Sequence, residues 1–327
     1  MDRRSLMAAA GIAAIGQLQM RGAMAASSVA KWNVLDAFIA LPGRKSALIE
    51  IDRSGEPWRI SHDPDAALFC GSCFKTFVLA TYLQAVEAGK LSEAEQLRID
   101  DDVRSTGGGV FEFLTGTTSA RVVLEAMIAH SDNTATDVAM KRVGVENVRA
   151  FIKKAGLASA RIPDSTRRFF SYVSGYPVGT DMGWAGIEKM KVGTTPGTRP
   201  SINDTQAMVC SARDFVSYYK RALAGEFFRK PETLTEFRRI QAMADSIAVA
   251  IPPNTPAYMK GGSIDWDGFH CMASAGQMIV RERPVTFSMT VNWTDKDGSQ
   301  EKIVAAYIKS VAEAMTRIRD ELLKTQS

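Results

Sequence analysis

Strand-like segments lie near both ends of this chain, and a long stretch of helical periodicity separates them. Apolar patterning predicts strands over residues 46–52, 57–62, 257–262, 269–280 and 285–293. Between residues 72 and 224 the apolar side chains recur mostly at steps of three and four, the spacing of a buried helix face. Strands from the two ends of the chain can pair in one sheet if the helical residues between them form a separate lobe. We therefore predict a mixed α/β fold, with a sheet assembled from both termini and an inserted all-helical lobe.

The other predicted elements fit a molecule of two parts that meet at a groove. Helices are predicted over residues 29–40, 72–88, 120–130, 145–155 and 299–324. Residues 162–203 are rich in Gly, Pro, Ser and Thr, which indicates one long ordered loop. We expect the α/β part to cover about 29–71 and 226–327, and the helical lobe about 72–225. Small ligands usually bind in the groove between such lobes.

The first 25 residues have the features of an export signal. Arg3 and Arg4 precede an apolar, alanine-rich run over residues 6–15, and residues 23–25 form a small-x-small cleavage pattern. The arginine pair resembles a twin-arginine signal, whereas an ordinary secretory signal would use the same arginines only for their charge. Either signal predicts a bacterial periplasmic or secreted protein. The apolar run is about half of the roughly 20 residues that span a bilayer, so we do not expect stable membrane insertion.

Charge and cysteine content favour small-molecule chemistry. The 327 residues carry 40 Lys and Arg against 36 Asp and Glu, a formal charge of +4, and half of that charge falls within the first 25 residues. No basic stripe is interleaved with aromatic residues, so nucleic-acid binding is not expected. Cys70 and Cys73 form a Cys-x-x-Cys pair without a second ligand pair at zinc-site spacing, so we expect no metal. The four cysteines suit either a disulfide or buried free thiols.

Three short motifs are predicted to lie where the two lobes meet. The first, Ser72-Cys-Phe-Lys75, begins a predicted helix and places a hydroxyl and an amine one turn apart on the same face. A lysine whose pKa is lowered by desolvation can take the proton from such a serine. The same four residues also suit a helix N-terminus with a solvated lysine, so this motif alone does not decide for catalysis.

The second and third motifs add further polar groups. Ser131-Asp132-Asn133 ends an apolar helical run, and there a hydroxyl can relay a proton while an amide holds a carbonyl. An ordinary helix cap and turn would use the same residues. Lys260-Gly-Gly262 ends a predicted strand and offers a cation for a carboxylate, with small residues that let a ligand lie against the strand. By itself, Lys-Gly-Gly is typical of a turn.

The three motifs are more specific when taken together in their order along the chain. Ser-x-x-Lys at a helix start, followed by Ser-Asp-Asn and then by Lys-x-Gly on a strand, is the set found in class A β-lactamases and penicillin-binding proteins. The chain therefore resembles a class A β-lactamase-related serine hydrolase over roughly residues 30–325. We expect the whole domain to cover residues 26–327. The resemblance implies a β-lactamase-like fold whose five-stranded sheet is antiparallel and flanked by helices.

The resemblance also implies three catalytic residues. Ser72 would be the nucleophile, and Lys75 would be the first candidate for its base. Ser131 would pass the proton to the leaving nitrogen. None of these steps needs a cofactor, so we expect none.

Four further residues would bind the substrate. Asn133 would hold the substrate's acylamino carbonyl, and Lys260 would attract its carboxylate, with Gly262 leaving room beside it. The oxyanion hole would consist of the backbone N–H groups of Ser72 and Ser263.

One departure from the family concerns deacylation. In class A enzymes a glutamate on the loop after the Ser-Asp-Asn helix activates the water that clears the acyl-enzyme. No glutamate occurs over residues 147–187, and Ser165-Thr166 stands where it is expected. Asp164 is the nearest carboxylate, and a long loop could also fold Asp181 or Glu188 over the site.

A second departure concerns the substrate's carboxylate. Lys260-Gly261-Gly262 replaces the usual Lys-Thr/Ser-Gly, which removes a hydroxyl that helps to bind the carboxylate. Ser263 could supply a hydroxyl instead.

Three functions follow from these residues. The first is a serine hydrolase that opens the amide of β-lactam antibiotics through an acyl-enzyme on Ser72, with slow deacylation or with Asp164 or Lys75 as the water's base. The second keeps the fold but acts as a D-alanyl peptidase, esterase or amidase. The third is a penicillin-binding sensor that does not hydrolyse its ligand. In each case the partner is a small molecule, and a monomer is expected.

Overall fold

The computed structural model describes residues 32–52, 57–295 and 298–324. The predicted export signal, at residues 1–25, lies outside the described residues, as does the start of the helix predicted over 29–40. What the described part holds of that helix is the short α1 (Asp36–Ile39). No helix in this part of the chain has both the length and the apolar character that crossing a membrane requires.

The central sheet has five antiparallel strands, as predicted. The strands of the chain are β1 (Arg44–Ile51), β2 (Trp58–His62), β3 (Leu68–Phe69), β4 (Gln96–Ile99), β5 (Gly116–Ser119), β6 (Val209–Cys210), β7 (Ala257–Trp266), β8 (Phe269–Val280) and β9 (Arg283–Thr294). The order across the sheet is β2-β1-β9-β8-β7, so β1 from the N-terminal end pairs with β9 from the C-terminal end. Successive residues of β9 are buried from 285 to 293, because both faces of the sheet are covered.

Helices cover the sheet and build the inserted lobe. After a 3₁₀ turn (Gly71–Phe74) they are α2 (Lys75–Glu87), α3 (Ala120–Ala129), α4 (Asn133–Val143), α5 (Val145–Lys154), α6 (Thr166–Val173), α7 (Gly183–Lys191), α8 (Ala212–Leu223), α9 (Pro231–Gln241), α10 (Ile247–Ala250) and α11 (Gln300–Lys324). α8 packs against β1, β8 and β9, and α11 packs against β8 and α1. One hydrophobic core runs through both parts of the molecule.

The long loop predicted over residues 162–203 was wrong, because this segment contains the helices α6 and α7. Ser165 caps α6 by accepting a hydrogen bond of 3.0 Å from the Arg168 N–H, and the helix buries Phe169 in the core. Both helices are shorter than the ~12 residues at which an isolated helix becomes even marginally stable, so tertiary packing decides their formation. Composition alone could not predict that packing.

The strand predicted to end at Gly262 continues to Trp266 as β7. The two glycines are therefore inside an edge strand and do not end it. They allow the strand to lie directly against the 3₁₀ turn that carries Ser72, as described next.

Candidate active site

A buried side chain of the sheet holds the segment that leads to Ser72. Asn292 of β9 accepts a hydrogen bond from the Phe69 N–H through Oδ1 at 2.9 Å, and its Nδ2 donates to the Phe69 carbonyl at 2.9 Å. The Cys271 thiol donates to the same carbonyl at 3.0 Å. The sequence reasoning missed Asn292, although a single amide in a continuously buried strand is a recognisable signal. This contact fixes the chain three residues before the predicted nucleophile.

Ser72 lies in the 3₁₀ turn and Lys75 is the first residue of α2, one turn further on. Ser72 is half-buried, whereas the Lys75 side chain is fully buried. Lys75 Nζ donates to the Ser131 carbonyl at 2.6 Å and to Asn133 Oδ1 at 2.7 Å, and it lies 3.4 Å from Ser131 Oγ. Residues from the first two motifs thus meet around one amine.

The surroundings of Lys75 favour its neutral form. Burial lowers the pKa of Lys75 well below its usual value, and the nearby positive charge of Lys260 lowers it further. A neutral amine has two N–H groups and one lone pair. Because two carbonyl oxygens accept its N–H groups, the lone pair remains for a hydroxyl proton. No hydrogen bond joins Ser72 to Lys75 in the described part of the chain, and such catalytic contacts often form only when substrate is bound.

The Ser-Asp-Asn motif acts both as a helix cap and as part of the site. Asp132 caps α4 by accepting from the Ala135 N–H at 2.7 Å, which is the ordinary structural role. Its other oxygen accepts from the N–H groups of Val110 and Phe111, each at 2.9 Å. Ser131 has the left-handed φ of 57°, a conformation that is costly for a serine and that accompanies the contact of its carbonyl with the buried amine.

Asn133 connects the site to a glycine-rich loop. Its N–H donates to the Gly107 carbonyl at 3.0 Å, and Nδ2 donates to the Thr106 carbonyl at 2.6 Å. An amide nitrogen carries two hydrogens, so one of them is still available to a ligand. The expected role of Asn133 in holding a substrate carbonyl is compatible with this geometry.

Two glycines bring two backbone N–H groups to one place. A Cβ at Gly262 would collide with the Cys70 carbonyl and would lie 2.8 Å from the Ser72 nitrogen. Gly71 has a φ of +50°, and a Cβ there would lie 2.7 Å from the Ser263 nitrogen. β7 is an edge strand, so alternate N–H groups point away from the sheet. The nitrogens of Ser72 and Ser263 therefore border the same narrow gap, as an oxyanion hole requires.

Lys260 lines a cavity of about 400 Å³ together with Ser131, Gly262 and Ser263. Its Nζ donates to the Gly261 carbonyl at 2.8 Å, and no hydrogen bond to Ser131 is found within the described residues. Burial lowers the pKa of Lys260 to about 8, against the opposing effects of Cys73 and Asp245. The ammonium form therefore predominates at neutral pH.

Of the three carboxylates considered for deacylation, two are paired with arginines and the third is exposed. Asp164 pairs with Arg149 at 2.6 Å and accepts from Gln206 at 2.7 Å. Burial alone would raise the pKa of Asp164, but these two contacts bring it below its usual value. Asp181 binds Arg167 through both oxygens at 2.6 Å. Glu188 is exposed on α7.

Thr166 occupies the position at which the glutamate is expected. Its N–H donates to Asp137 Oδ1 at 2.7 Å, and its hydroxyl lies 3.0 Å from Ser105 Oγ and 3.5 Å from the Asn133 carbonyl. Asp137 also accepts from the Arg167 N–H, and burial raises the pKa of this carboxyl to about 6. These contacts hold Thr166 beside Asn133, and no carboxylate stands at the position expected for the family's glutamate.

All four cysteines are buried free thiols. Burial raises the pKa of Cys73 to about 12, and its thiol donates to the Lys260 carbonyl at 3.2 Å. The cysteines beside Ser72 therefore pack the site and are not nucleophiles. Within the described residues, no group of three or more His, Cys, Asp or Glu side chains is placed to hold a metal ion.

Arg167 is a buried anchor of the segment that carries α6 and α7. Besides the two contacts with Asp181, its guanidinium donates to the carbonyls of Asp101, Asp102 and Arg104 at 2.6 to 3.2 Å. Two adjacent arginines such as Arg167-Arg168 are typical of a solvated surface, but Arg167 is buried. The signal is absent from the sequence because its partners lie on distant segments.

We expect Arg167→Ala to lower the free energy of unfolding by about 3 to 5 kcal/mol, because it leaves the Asp181 carboxylate and three carbonyls without their donor. Urea unfolding followed by circular dichroism measures this loss. Arg168→Ala is the matched control, since the guanidinium of Arg168 donates, among the described residues, only to the Gly179 carbonyl. We expect this variant to cost about 1 kcal/mol. Equal losses for the two variants would contradict the anchoring role.

Comparison with known proteins identifies a family and a fold for the chain. The model of a family described as the Beta-lactamase enzyme family matches residues 35–316. No curated protein sequence matches the chain.

Several solved structures share the fold at low sequence identity. A β-lactamase from Chitinophaga pinensis DSM 2588 is 17% identical, with a TM-score of 0.69 over 89% of this chain and 98% of that one. The chromosome-encoded β-lactamase of Vibrio parahaemolyticus is 18% identical, with a TM-score of 0.65 over 86% and 95%. A mutant of PBP-A, described as an acyl-enzyme complex with penicillin G, is 15% identical, with a TM-score of 0.66 over 90% and 97%.

Proposed function

The chain belongs to the Beta-lactamase enzyme family, and on that premise we propose that it opens the amide of a β-lactam through an acyl-enzyme on Ser72 and releases the product slowly. Family and fold support a serine hydrolase of the β-lactamase type. The observation that carries the proposal is the buried Lys75 amine, one turn from Ser72, with both N–H groups committed and its lone pair available.

Acylation uses groups from all three motifs. Ser72 Oγ attacks the carbonyl carbon of the lactam and its proton moves to Lys75 Nζ, while the N–H groups of Ser72 and Ser263 stabilise the oxyanion. The C–N bond then breaks, and Ser131 passes a proton to the departing nitrogen. Lys75 becomes neutral again by returning its proton through Ser131. The product is an ester between Ser72 and the opened substrate.

We propose that deacylation lacks a carboxylate base to activate the attacking water. Water must attack the ester carbon, and a base must take its proton. Asp164 and Asp181 are each bound to an arginine, and Thr166 stands at the glutamate's position. Glu188 and the cavity-lining Asp245 are exposed. We therefore take Lys75, which contacts Ser131 and Asn133, as the base, without a partner that positions the water. We therefore propose that the acyl-enzyme accumulates, as the penicillin sensor of the third hypothesis would also require.

A chromogenic cephalosporin tests the proposal. Nitrocefin mixed with the purified protein is expected to give a burst of absorbance equal to the concentration of protein, followed by a slow steady rate. Ser72→Ala is expected to abolish both phases. A wild-type protein that gives neither a burst nor turnover would overturn the proposal, whereas a linear rate without a burst would show that deacylation is not limiting.

A second candidate function is ester or amide hydrolysis, including removal of a terminal D-alanine. What favours it is the weak cationic character of the cavity, in which Lys260 is the one cation among the described lining residues and Asp245 is an acid. A panel of uncharged esters distinguishes the candidates. Turnover of esters that Ser72→Ala abolishes, without acylation by any β-lactam, would favour the second.

We expect acylation by a carboxylate-bearing penicillin to weaken as pH rises. Lys260, with a pKa of about 8, is cationic below that value and loses its attraction for a carboxylate above it. The second-order rate of acylation by penicillin G should therefore fall about tenfold relative to its methyl ester between pH 7 and 9. Any titration of Lys75 changes acylation by both probes, so the acid-to-ester ratio reports on Lys260. Identical pH profiles for the acid and the ester would contradict this.

The cellular setting follows from the same family. We propose an exported bacterial protein, in the periplasm or outside the cell, that acts as a monomer on a small molecule and binds no nucleic acid. Size-exclusion chromatography with light scattering measures the oligomeric state, and a signal-peptide fusion to a reporter measures export.

A further inference from the structure

Gly261 of β7 faces Ser246, which lies in the segment before α10. A Cβ at Gly261 would lie 3.0 Å from the Ser246 Cβ and 3.2 Å from the Ser246 hydroxyl oxygen. These distances are tighter than ordinary van der Waals contacts, so a larger residue at 261 would have to displace Ser246. The space into which residue 261 would project is therefore already occupied by a hydroxymethyl group.

The Ser246 hydroxyl is buried without a hydrogen-bond partner among the described residues. Leaving a buried hydroxyl unpaired typically costs ~1 to 3 kcal/mol, so such a group calls for a partner. Ser246 is held at this place by its neighbour, because the Asp245 N–H donates to the Ala129 carbonyl at 3.1 Å. That carbonyl belongs to the end of α3, two residues before Ser131.

Ser246 lines the cavity that also contains Lys260 and Ser131. Lys260 is the one cation among the described residues of that lining, and the acid Asp245 offsets its charge. A carboxylate bound there needs further donors, because one ammonium group leaves its other lone pairs unpaired. Ser263 lies on the same face of β7 as residue 261 but about 7 Å further along, and it is exposed.

We propose that the Ser246 hydroxyl binds the carboxylate of the acyl substrate beside Lys260, and so supplies from the segment before α10 the donor that Gly261 lacks. The inference rests on the proposed function, since it names the residue by which that site recognises a carboxylate. The sequence-based alternative is that Ser263 supplies this hydroxyl, and the test below distinguishes the two.

The test compares a penicillin with its methyl ester. For each protein, the second-order rates of acylation by penicillin G and by its methyl ester are measured by intact mass, and their ratio is the readout. Ser246→Ala is expected to lower the acid-to-ester ratio about tenfold, because the lost hydrogen bond is made to a charged group. Ser46→Ala removes another buried hydroxyl without a partner in the described part of the chain, three strands away on β1. This control should keep the parent ratio within about twofold.

A relocated hydroxyl provides the second arm. In the double variant Ser246→Gly/Gly261→Ser, the hydroxyl moves to the strand and the space it needs is vacated, so most of the ratio should return. Thermal unfolding of each variant shows whether the fold is intact.

The outcomes separate the two proposals. A Ser246→Ala ratio equal to the parent's, or a ratio that falls only in Ser263→Ala, would overturn the role of Ser246 while leaving acylation of Ser72 standing. If neither probe acylates the parent protein, the proposed function fails and this inference fails with it.

Discussion

Replacing Lys75 with methionine is expected to slow acylation of Ser72 by about a thousandfold, within the range that a positioned general base contributes. Methionine fills a similar volume but has no lone pair of comparable basicity. Burial lowers the pKa of Lys75 and so favours the neutral amine that can accept a proton, and the contacts with Ser131 and Asn133 orient it. The rate of adduct formation with a penicillin, followed by intact mass, measures the effect.

Lys154→Met is the matched control for that experiment. Lys154 is an exposed lysine of α5, so its removal should leave the acylation rate within about twofold of the parent. Thermal unfolding of both variants accounts for any loss of stability. A Lys75→Met protein that acylates within tenfold of the parent would show that another group takes the serine proton.

Adding one methyl group at Gly262 is expected to reduce acylation about a hundredfold or more. The Cβ of an alanine would collide with the Cys70 carbonyl and would press on the Ser72 and Cys73 nitrogens at 2.8 and 2.9 Å. β7 would have to move away from the 3₁₀ turn, which would separate the two N–H groups of the proposed oxyanion hole. Loss of one such donor typically costs 10² to 10³ in rate.

The control for Gly262→Ala is Gly197→Ala, at a glycine where a Cβ has open space around it. We expect this variant to acylate like the parent. Substrate binding is measured separately by the concentration dependence of the rate, because separation of the two N–H groups should lower the limiting rate more than the affinity. A Gly262→Ala protein that is folded and acylates at the parent rate would contradict the assignment of Ser72 and Ser263 as oxyanion donors.

The sequence predicted those parts of the molecule whose signal is local or repeats along the chain. The five strands follow from apolar runs, and the helix after Ser72 follows from apolar spacing and a glycine stop. The three motifs could be ordered without coordinates, because each keeps its residues within one turn or strand. The contacts between different motifs could be inferred from the sequence only through the family resemblance. The structure gives their distances, for example those from Lys75 to Ser131 and Asn133.

Other features depend on contacts between distant segments and have no local signal. Asn292 pairs with Phe69, which is 223 residues away in the chain, and Ser246 faces Gly261 only because α3 anchors the segment that carries it. Arg167 looks like half of a surface pair in the sequence, yet it is buried against Asp181. α6 and α7 are too short for their spacing to stand out. In each case packing decides the role of the residue, and packing is a property of the whole fold.

Two acids near the site accept hydrogen bonds from backbone N–H groups. Asp137, a buried acid of α4, accepts hydrogen bonds from the N–H groups of Thr166 and Arg167 and so holds the backbone at the start of α6. Glu112 of the glycine-rich loop accepts from the Gly107 N–H and pairs with Lys191. These acids maintain the shape of the site, and none of them is positioned to activate a water.

The most direct test of acylation with slow release is a time course of intact mass after the protein is mixed with penicillin G. We predict an added mass equal to that of the whole penicillin, located on the peptide that contains Ser72 and absent from Ser72→Ala. The added mass should still be present hours after free penicillin is removed. A protein that gains no mass and leaves the penicillin intact would contradict it.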